Sequence, residues 1–154
     1  MLIASLLVNA SHIYCDQQNI TSKKRLIEKL SHYLAEHNQN LSASRIYHAL
    51  LERERLGSTG LGKGVAIPHT RLPELTENIA IIMVLASPIK YEAADKQPID
   101  IVFCLLIPEG GDDYHLAHLA RIAQILRDPN NCETIRQTPD AEELFNKLLA
   151  IDDD

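Results

Sequence analysis

The sequence predicts an α/β fold in which a sheet is covered by helices on both faces. Residues 79–86 and 99–107 are continuously apolar, the pattern of strands buried on both sides. On either side of them, four stretches carry apolar residues at helical spacing. Strands and helices mixed in this order build a layered core rather than a bundle or an all-β sandwich.

The elements follow in chain order. Residues 1–8 are apolar, with no basic residue before Lys23; the run is too short to span a membrane and has no cleavage context of a secretory leader. Ile13, Tyr14 and Cys15 read as a short strand. A helix is expected over residues 22–37, capped by Thr21 or Ser22, with Leu26, Ile27, Leu30 and Leu34 on one face and Asn38-Gln39-Asn40 ending it. Ser42 caps a second helix, which buries Ile46, Leu50 and Leu51 and carries Arg53 in its final turn. Residues 65–68 are expected as a strand, and the more polar residues 89–93 as an edge strand or hairpin arm. After Pro108-Glu109-Gly110-Gly111, Asp112 or Asp113 caps a helix reaching about Arg127, with Leu116, Leu119, Ala120, Ala123 and Leu126 as its stripe. A short helix is expected over 129–137. Thr138 and Pro139 then offer a cap and first helical position to a last helix that buries Leu144, Phe145, Leu148 and Leu149.

No repeat, low-complexity tract or linker interrupts the 154 residues, so a single domain over 1–154 is expected. A net charge of −6 argues against a general nucleic-acid binder, which needs a basic face, and leaves protein partners open. Cys15, Cys104 and Cys132 have no C-x-x-C spacing, and Cys104 lies within an apolar run. A reducing cytoplasm suits them.

The chemistry concentrates in Leu56-Gly57-Ser58-Thr59-Gly60-Leu61-Gly62-Lys63-Gly64-Val65-Ala66-Ile67-Pro68-His69. Glycines let the backbone approach another group closely, and such loops can present amides to an anion. At the end stands an imidazole, largely a neutral nucleophile at cytoplasmic pH. A phosphate-friendly loop beside a histidine points to phosphoryl chemistry on that histidine; an ordinary surface turn with a solvated His is the plainer alternative. Residues 57–63 also fit G-x-x-x-x-G-K, but Gly64 replaces the Ser or Thr that would hold magnesium, and a β-like segment ending in Pro follows where a P-loop opens a helix. The nucleotide reading fails.

This run, from Arg53 to His69, resembles the enzyme IIA family of the bacterial phosphotransferase system, within its fructose/mannitol superfamily and the nitrogen-type regulatory branch. The likeness continues through Gln97-Pro98-Ile99-Asp100-Ile101-Val102, Leu105-Leu106-Ile107-Pro108 and His115-Leu116, and so covers nearly the whole chain. It implies a three-layer α/β/α sandwich with a mixed central sheet. It implies that His69 accepts a phosphoryl group from an HPr- or NPr-like phosphohistidine carrier, through Nε2, with Nδ1 held by a backbone group. It implies that His115, at the start of a helix, stabilises the phosphoryl group, and that Arg53 contacts phosphate or partner. On the residues alone, Glu52-Arg53-Glu54-Arg55 also reads as a solvated helix end in which Arg55 competes for that role. Ser58, Thr59 and Gly60 form the candidate phosphate loop, where turn-forming hydroxyls are the commoner explanation. Lys63 stands where mannitol-type members carry an acidic residue, and Thr70 where many members have Gly.

The function expected is a phosphocarrier, an enzyme only in the sense of a transient phosphotransferase component, that regulates partner proteins through its phosphorylation state. The family connection points to targets in nitrogen and potassium metabolism, such as a sensor kinase or a potassium transporter. The alternative is a sugar-uptake component passing phosphate to a IIB domain. No cofactor, metal, nucleic acid or membrane insertion is expected. His115 and His118 with Asp112 and Asp113 offer weak zinc spacing, and a metal-dependent hydrolase on His69, His115, His118 and Asp112 is the third reading.

Overall fold

A computed structural model describes residues 2–110 and 113–153, without the side chains of residues 113–115. Its centre is a six-stranded sheet of β1 (Ile13–Gln17), β2 (Gly60–Gly62), β3 (Val65–Ala66), β4 (His69–Leu72), β5 (Ile79–Ile89) and β6 (Ile99–Pro108). The order is β1-β5-β6-β3-β2, with β4 also pairing β6. β5 and β6 run antiparallel, whereas β1 joins β5, and β3 and β4 join β6, in parallel, so the sheet is mixed.

The two apolar runs become β5 and β6 because both their faces are covered. On one side pack α2 (Lys23–Glu36) and α3 (Ala43–Leu56), whose Leu26, Leu30, Leu34, Ile46 and Leu50 meet Ile81, Met83, Val102 and Cys104. On the other lie α1 (Leu2–Leu7), α4 (Asp113–Arg127), α5 (Pro129–Arg136) and α6 (Ala141–Asp152), whose Leu7, Ile122, Ile125, Leu144 and Leu148 meet Ile82, Ile101, Phe103 and Leu105. Alternate residues of one strand thus serve opposite cores, each fully buried Leu or Ile contributing about 1.5–3 kcal/mol. The result is the expected α/β/α sandwich. Cys104 is fully buried, and burial pushes its thiol pKa up, as suits core filler.

Ser22 and Ser42 cap α2 and α3 through side chains that accept from the Arg25 and Arg45 N–H groups. Three local expectations need correction. The last helix is capped by Asp140, which accepts from Glu143 N–H, while the Thr138 hydroxyl donates back to the Thr134 carbonyl at 2.6 Å and so finishes α5. Residues 65–68 do not form one strand. Proline has no N–H for a ladder, and the extended segment divides into β3 and β4 on either side of Pro68 while both halves keep the same parallel register with β6. Residues 89–93 are not an edge strand: Ile89 closes β5, Glu92 takes φ +61°, and the Tyr91 side chain turns inward to complete burial. The opening apolar run is a helix, its Ile3, Leu6 and Leu7 buried and its Ile3 N–H donating to Asp152 at 2.9 Å.

Candidate functional site

β3 and β4 bring the site into being. Residues alternate across the sheet, so Val65 and Ile67 face the α4 side while Ala66 and Leu72 face the α2–α3 side. His69 continues the first series beyond Pro68, at the register point opposite Leu105. There the strand is no longer fully covered, and the imidazole is half-buried at the wall of a cleft of about 370 Å³. Arg53, Ser58, Thr59, Gly60 and Leu61 line one side of that cleft, and Leu116, Leu119, Ala120 and Ala123 of α4 the other. An adjoining cleft of about 310 Å³ is shared by His69, Arg53, Thr70, Arg71 and Ile107.

The His69 ring is fixed by its own strand: Nδ1 lies 2.7 Å from the Ile67 carbonyl. A carbonyl can only accept, so Nδ1 carries the proton and the neutral ring keeps its lone pair on Nε2. Burial lowers the His69 pKa from its ordinary 6.5, the Arg53 and Arg71 charges add to that, and the Ile67 carbonyl and Glu54 oppose it without reversing it. The geometry therefore holds a neutral nucleophilic nitrogen beside cationic groups.

The two competing arginines part company here. Arg53 lines the cleft, and its Nη1 donates to the Gly57 carbonyl at 2.9 Å. Arg55 lies on the solvent side, paired with Glu52 at 3.0 Å with both side chains about two-thirds exposed. The loop hydroxyls donate to α3 and to the segment after β5. Ser58 Oγ donates to the Tyr91 carbonyl at 3.4 Å and accepts from Gly60 N–H at 3.1 Å, and the Thr59 hydroxyl, buried, donates to Glu54. Ser58, Thr59 and Gly60 thus shape the cleft wall. At Gly60 a Cβ would stand 2.7 Å from that of Ala93, which explains the bare backbone there. His115 falls in the first turn of α4, and its side chain lies outside the described residues, as does Asp112 altogether.

Sequence reasoning missed Arg71, Glu54, Tyr91 and Lys23. Arg71 had a usable signal, since two residues along a strand from His69 is the same face; reading residues 69–72 as a strand would have found it. The others meet only in three dimensions.

Further along the loop, Gly64 takes φ +85°, and a Cβ there would collide with the Arg136 guanidinium, which is clamped on Asp100 at 2.9 Å and donates to the Lys63 carbonyl at 3.2 Å. Gly64→Ala is expected to destabilise the chain by about 1–3 kcal/mol, seen as a lowered Tm in thermal unfolding.

The chain matches, over residues 6–150, the family described as the phosphoenolpyruvate-dependent sugar phosphotransferase system, EIIA 2. It belongs to that EIIA family. A nitrogen regulatory protein of Bradyrhizobium diazoefficiens is 42% identical over 130 residues, which cover 84% of each chain. The crystal structure of the nitrogen regulatory protein IIA-Ntr of Neisseria meningitidis superposes with a TM-score of 0.86 at 34% identity, covering 98% of both chains. IIA mannitol of Escherichia coli shares the fold, with a TM-score of 0.74 at 16% identity over 94% of this chain and 97% of that one.

This EIIA chain has, among its described residues, no helix long and apolar enough to cross a membrane. Of the residues in the zinc reading, His118 turns to Asn78, whose Nδ2 lies 3.0 Å from its Nδ1. Among the described residues no three His, Cys, Asp or Glu side chains stand together as a metal site.

Proposed function

We propose that this EIIA chain is a cytoplasmic phosphocarrier, working as one domain over residues 1–154, that accepts a phosphoryl group on Nε2 of His69 from an HPr- or NPr-like phosphohistidine carrier. The observation that carries the reading is the 2.7 Å contact of His69 Nδ1 with the Ile67 carbonyl, which leaves the lone pair on Nε2. In the transfer, the P–N bond of the carrier's phosphohistidine breaks as a new one forms at Nε2, and the bonding pair returns to the carrier's imidazole. The positive charge that the His69 ring acquires is shared with Nδ1–H, which donates to the Ile67 carbonyl. Arg53 and Arg71 offer cations to the phosphoryl oxygens, and His115, in the first turn of α4, sits at the positive end of that helix. Ser58, Thr59 and Gly60 give the cleft its phosphate-facing wall.

Phosphorylation adds roughly −2 of charge inside a rim of Leu61, Leu116 and Leu119, enough to make or break a partner contact. Relatives named as nitrogen regulatory proteins support regulation of a target over delivery of phosphate to a IIB domain; the target proposed is of sensor-kinase or potassium-transporter type. Incubation with phosphorylated carrier should add one acid-labile, base-stable phosphate per chain, and the general and nitrogen-branch carriers compared side by side should show the latter preferred. A chain that takes phosphate from neither overturns the proposal.

The lowered His69 pKa also sets a pH dependence. The neutral ring persists as pH falls through 6.5, and is lost only below it. Because the folded state binds this proton less readily than the unfolded chain, the same titration removes stability on the acid side, not the alkaline. An NMR titration of the His69 ring is expected to show a midpoint below 6.5; a midpoint at or above it contradicts the argument.

A further inference from the structure

Behind the cleft, the Glu54 side chain is only 4% exposed, yet it gathers four donor groups from three residues. Lys23 Nζ stands 2.8 Å from Oε2, and the Thr59 N–H donates to Oε2 at 3.3 Å. The Tyr91 phenol donates to Oε1 at 2.9 Å, and the Thr59 hydroxyl donates to the same oxygen. Lys23 Nζ also lies 4.3 Å from the centroid of the Tyr91 ring. Burial by itself raises the Glu54 pKa, but the bonds from Lys23, Thr59 and Tyr91 outweigh it and hold the carboxyl below its ordinary value. Tyr91 is pushed the other way by burial and by the Glu54 charge, so its phenol stays protonated and donating.

A buried ion pair is a poor device for stability alone, since apolar side chains of similar volume commonly serve as well. What this one does is local. Thr59 is seized at both its N–H and its hydroxyl, which fixes the turn between α3 and β2. Two residues earlier in the same turn, the Gly57 carbonyl receives Arg53 Nη1 at 2.9 Å. A continuous chain of contacts therefore runs from Glu54 through Thr59 and the turn to the Arg53 guanidinium at the His69 cleft.

Resting on the phosphocarrier reading, we propose that Glu54 is a positioning residue for phosphoryl transfer: its carboxylate, neutralised by Lys23, holds the 57–60 turn so that Arg53 is aimed into the His69 cleft. The two parts of the device are separable. A carboxylate only accepts, whereas a glutamine would set an NH2 group among the donors of Lys23, Thr59 and Tyr91. Replacing Lys23 leaves those contacts from Thr59 and Tyr91 but restores a bare negative charge near an incoming phosphoryl dianion.

The test measures transfer from the phosphorylated carrier over a range of carrier concentrations, with Tm recorded for each variant. In Glu54→Gln and Thr59→Val the maximal rate should fall on the order of 10–100-fold, the effect of a misplaced catalytic group, with the half-saturating carrier concentration unchanged. Thr59→Ser, which restores the hydroxyl, should recover most of the rate. Lys23→Met should shift the phosphate equilibrium toward the carrier. Because Glu54 acts through Arg53, adding Glu54→Gln to Arg53→Ala should cost little further rate, a coupling that a merely structural role does not produce. Wild-type maximal rates in folded Glu54→Gln and Thr59→Val, or fully additive losses with Arg53→Ala, overturn the inference. If Glu54→Gln does not fold, Thr59→Val, which removes a single hydroxyl, decides alone. His69→Ala run in parallel separates the two levels: its silence leaves the Glu54 results to speak for themselves, while phosphate uptake by it overturns the phosphocarrier reading and this inference together.

Discussion

His69→Ala is expected to take up no phosphoryl group from a phosphorylated carrier while folding like the parent chain. The imidazole is the proposed acceptor, and its described neighbours Arg53, Arg71 and Thr70 carry no nitrogen that is neutral and basic near pH 7. The structural cost of the change is small. It leaves the Ile67 carbonyl without the Nδ1–H that lies 2.7 Å away, a loss of about 1 kcal/mol for an acceptor at a cleft wall open to water. For a chain of this size that is a Tm change of roughly 2–4 °C. Intact-mass analysis after incubation with the phosphorylated carrier, beside a thermal melt, separates loss of the acceptor from loss of the fold. Uptake by His69→Ala equal to the parent would move the acceptor elsewhere and end the proposed function as stated.

The parts of this chain that could be read in advance share one property: their signal is local. β5 and β6 announced themselves because strand segments covered on both faces cannot tolerate polar residues, and residues 80–85 and 101–108 are buried throughout. Ser22 and Ser42 were legible as caps because a hydroxyl just before an apolar periodicity has a specific N–H to bind. Thr138 misled for the same reason. It has the right chemistry for a cap, but the carbonyl of Thr134 lay within its reach and Asp140 took the N-terminal donor. Leu2–Leu7 carried too few residues to tell a buried helix from a strand, and only its packing against α6 and β5 decides.

The site divides along the same line. His69 and Arg53 stand in one ordered motif with the glycine-rich turn, and the structure sets them around one cleft while sending Arg55 to solvent. The ring's tautomer, implied by the family resemblance, was not legible in the residues themselves, because it is set by where the Ile67 carbonyl points. Nor was the Glu54–Tyr91 contact, which joins residues 37 apart, or the Lys23 ammonium that reaches Glu54 from another helix. Acidic and aromatic side chains at those positions read equally well as a helix end and a polar loop. Their meaning arises only when the 57–60 turn and the 90–93 loop are folded against each other.

The second large effect concerns Arg53 and His115, which are proposed to assist the transfer without forming the covalent bond. As the phosphoryl group passes between two imidazoles, charge spreads over its oxygens, and a preorganised donor aimed at them stabilises the transition state more than the resting chain. Arg53 is placed to act as such a donor: one arm of its fork is held on the Gly57 carbonyl at 2.9 Å, and the side chain lines both clefts that His69 lines. Removing one donor of this kind typically costs about 10²–10³ in rate, so Arg53→Ala should slow transfer by that order while His69 is still phosphorylated in the end. Arg53→Lys keeps the charge but gives up the planar fork, and should fall between Arg53→Ala and the parent. Arg55→Lys, two-thirds exposed and paired with Glu52, should match the parent. His115 is placed by α4, whose first turn it occupies, and His115→Ala should likewise slow transfer or alter the lifetime of the phosphohistidine without lowering Tm. Single-turnover transfer rates for these variants, each with its melting curve, check the argument. Parent-like rates in both His115→Ala and Arg53→Lys would mean that other groups, Arg71 first among them by its place in the cleft, carry the phosphoryl oxygens.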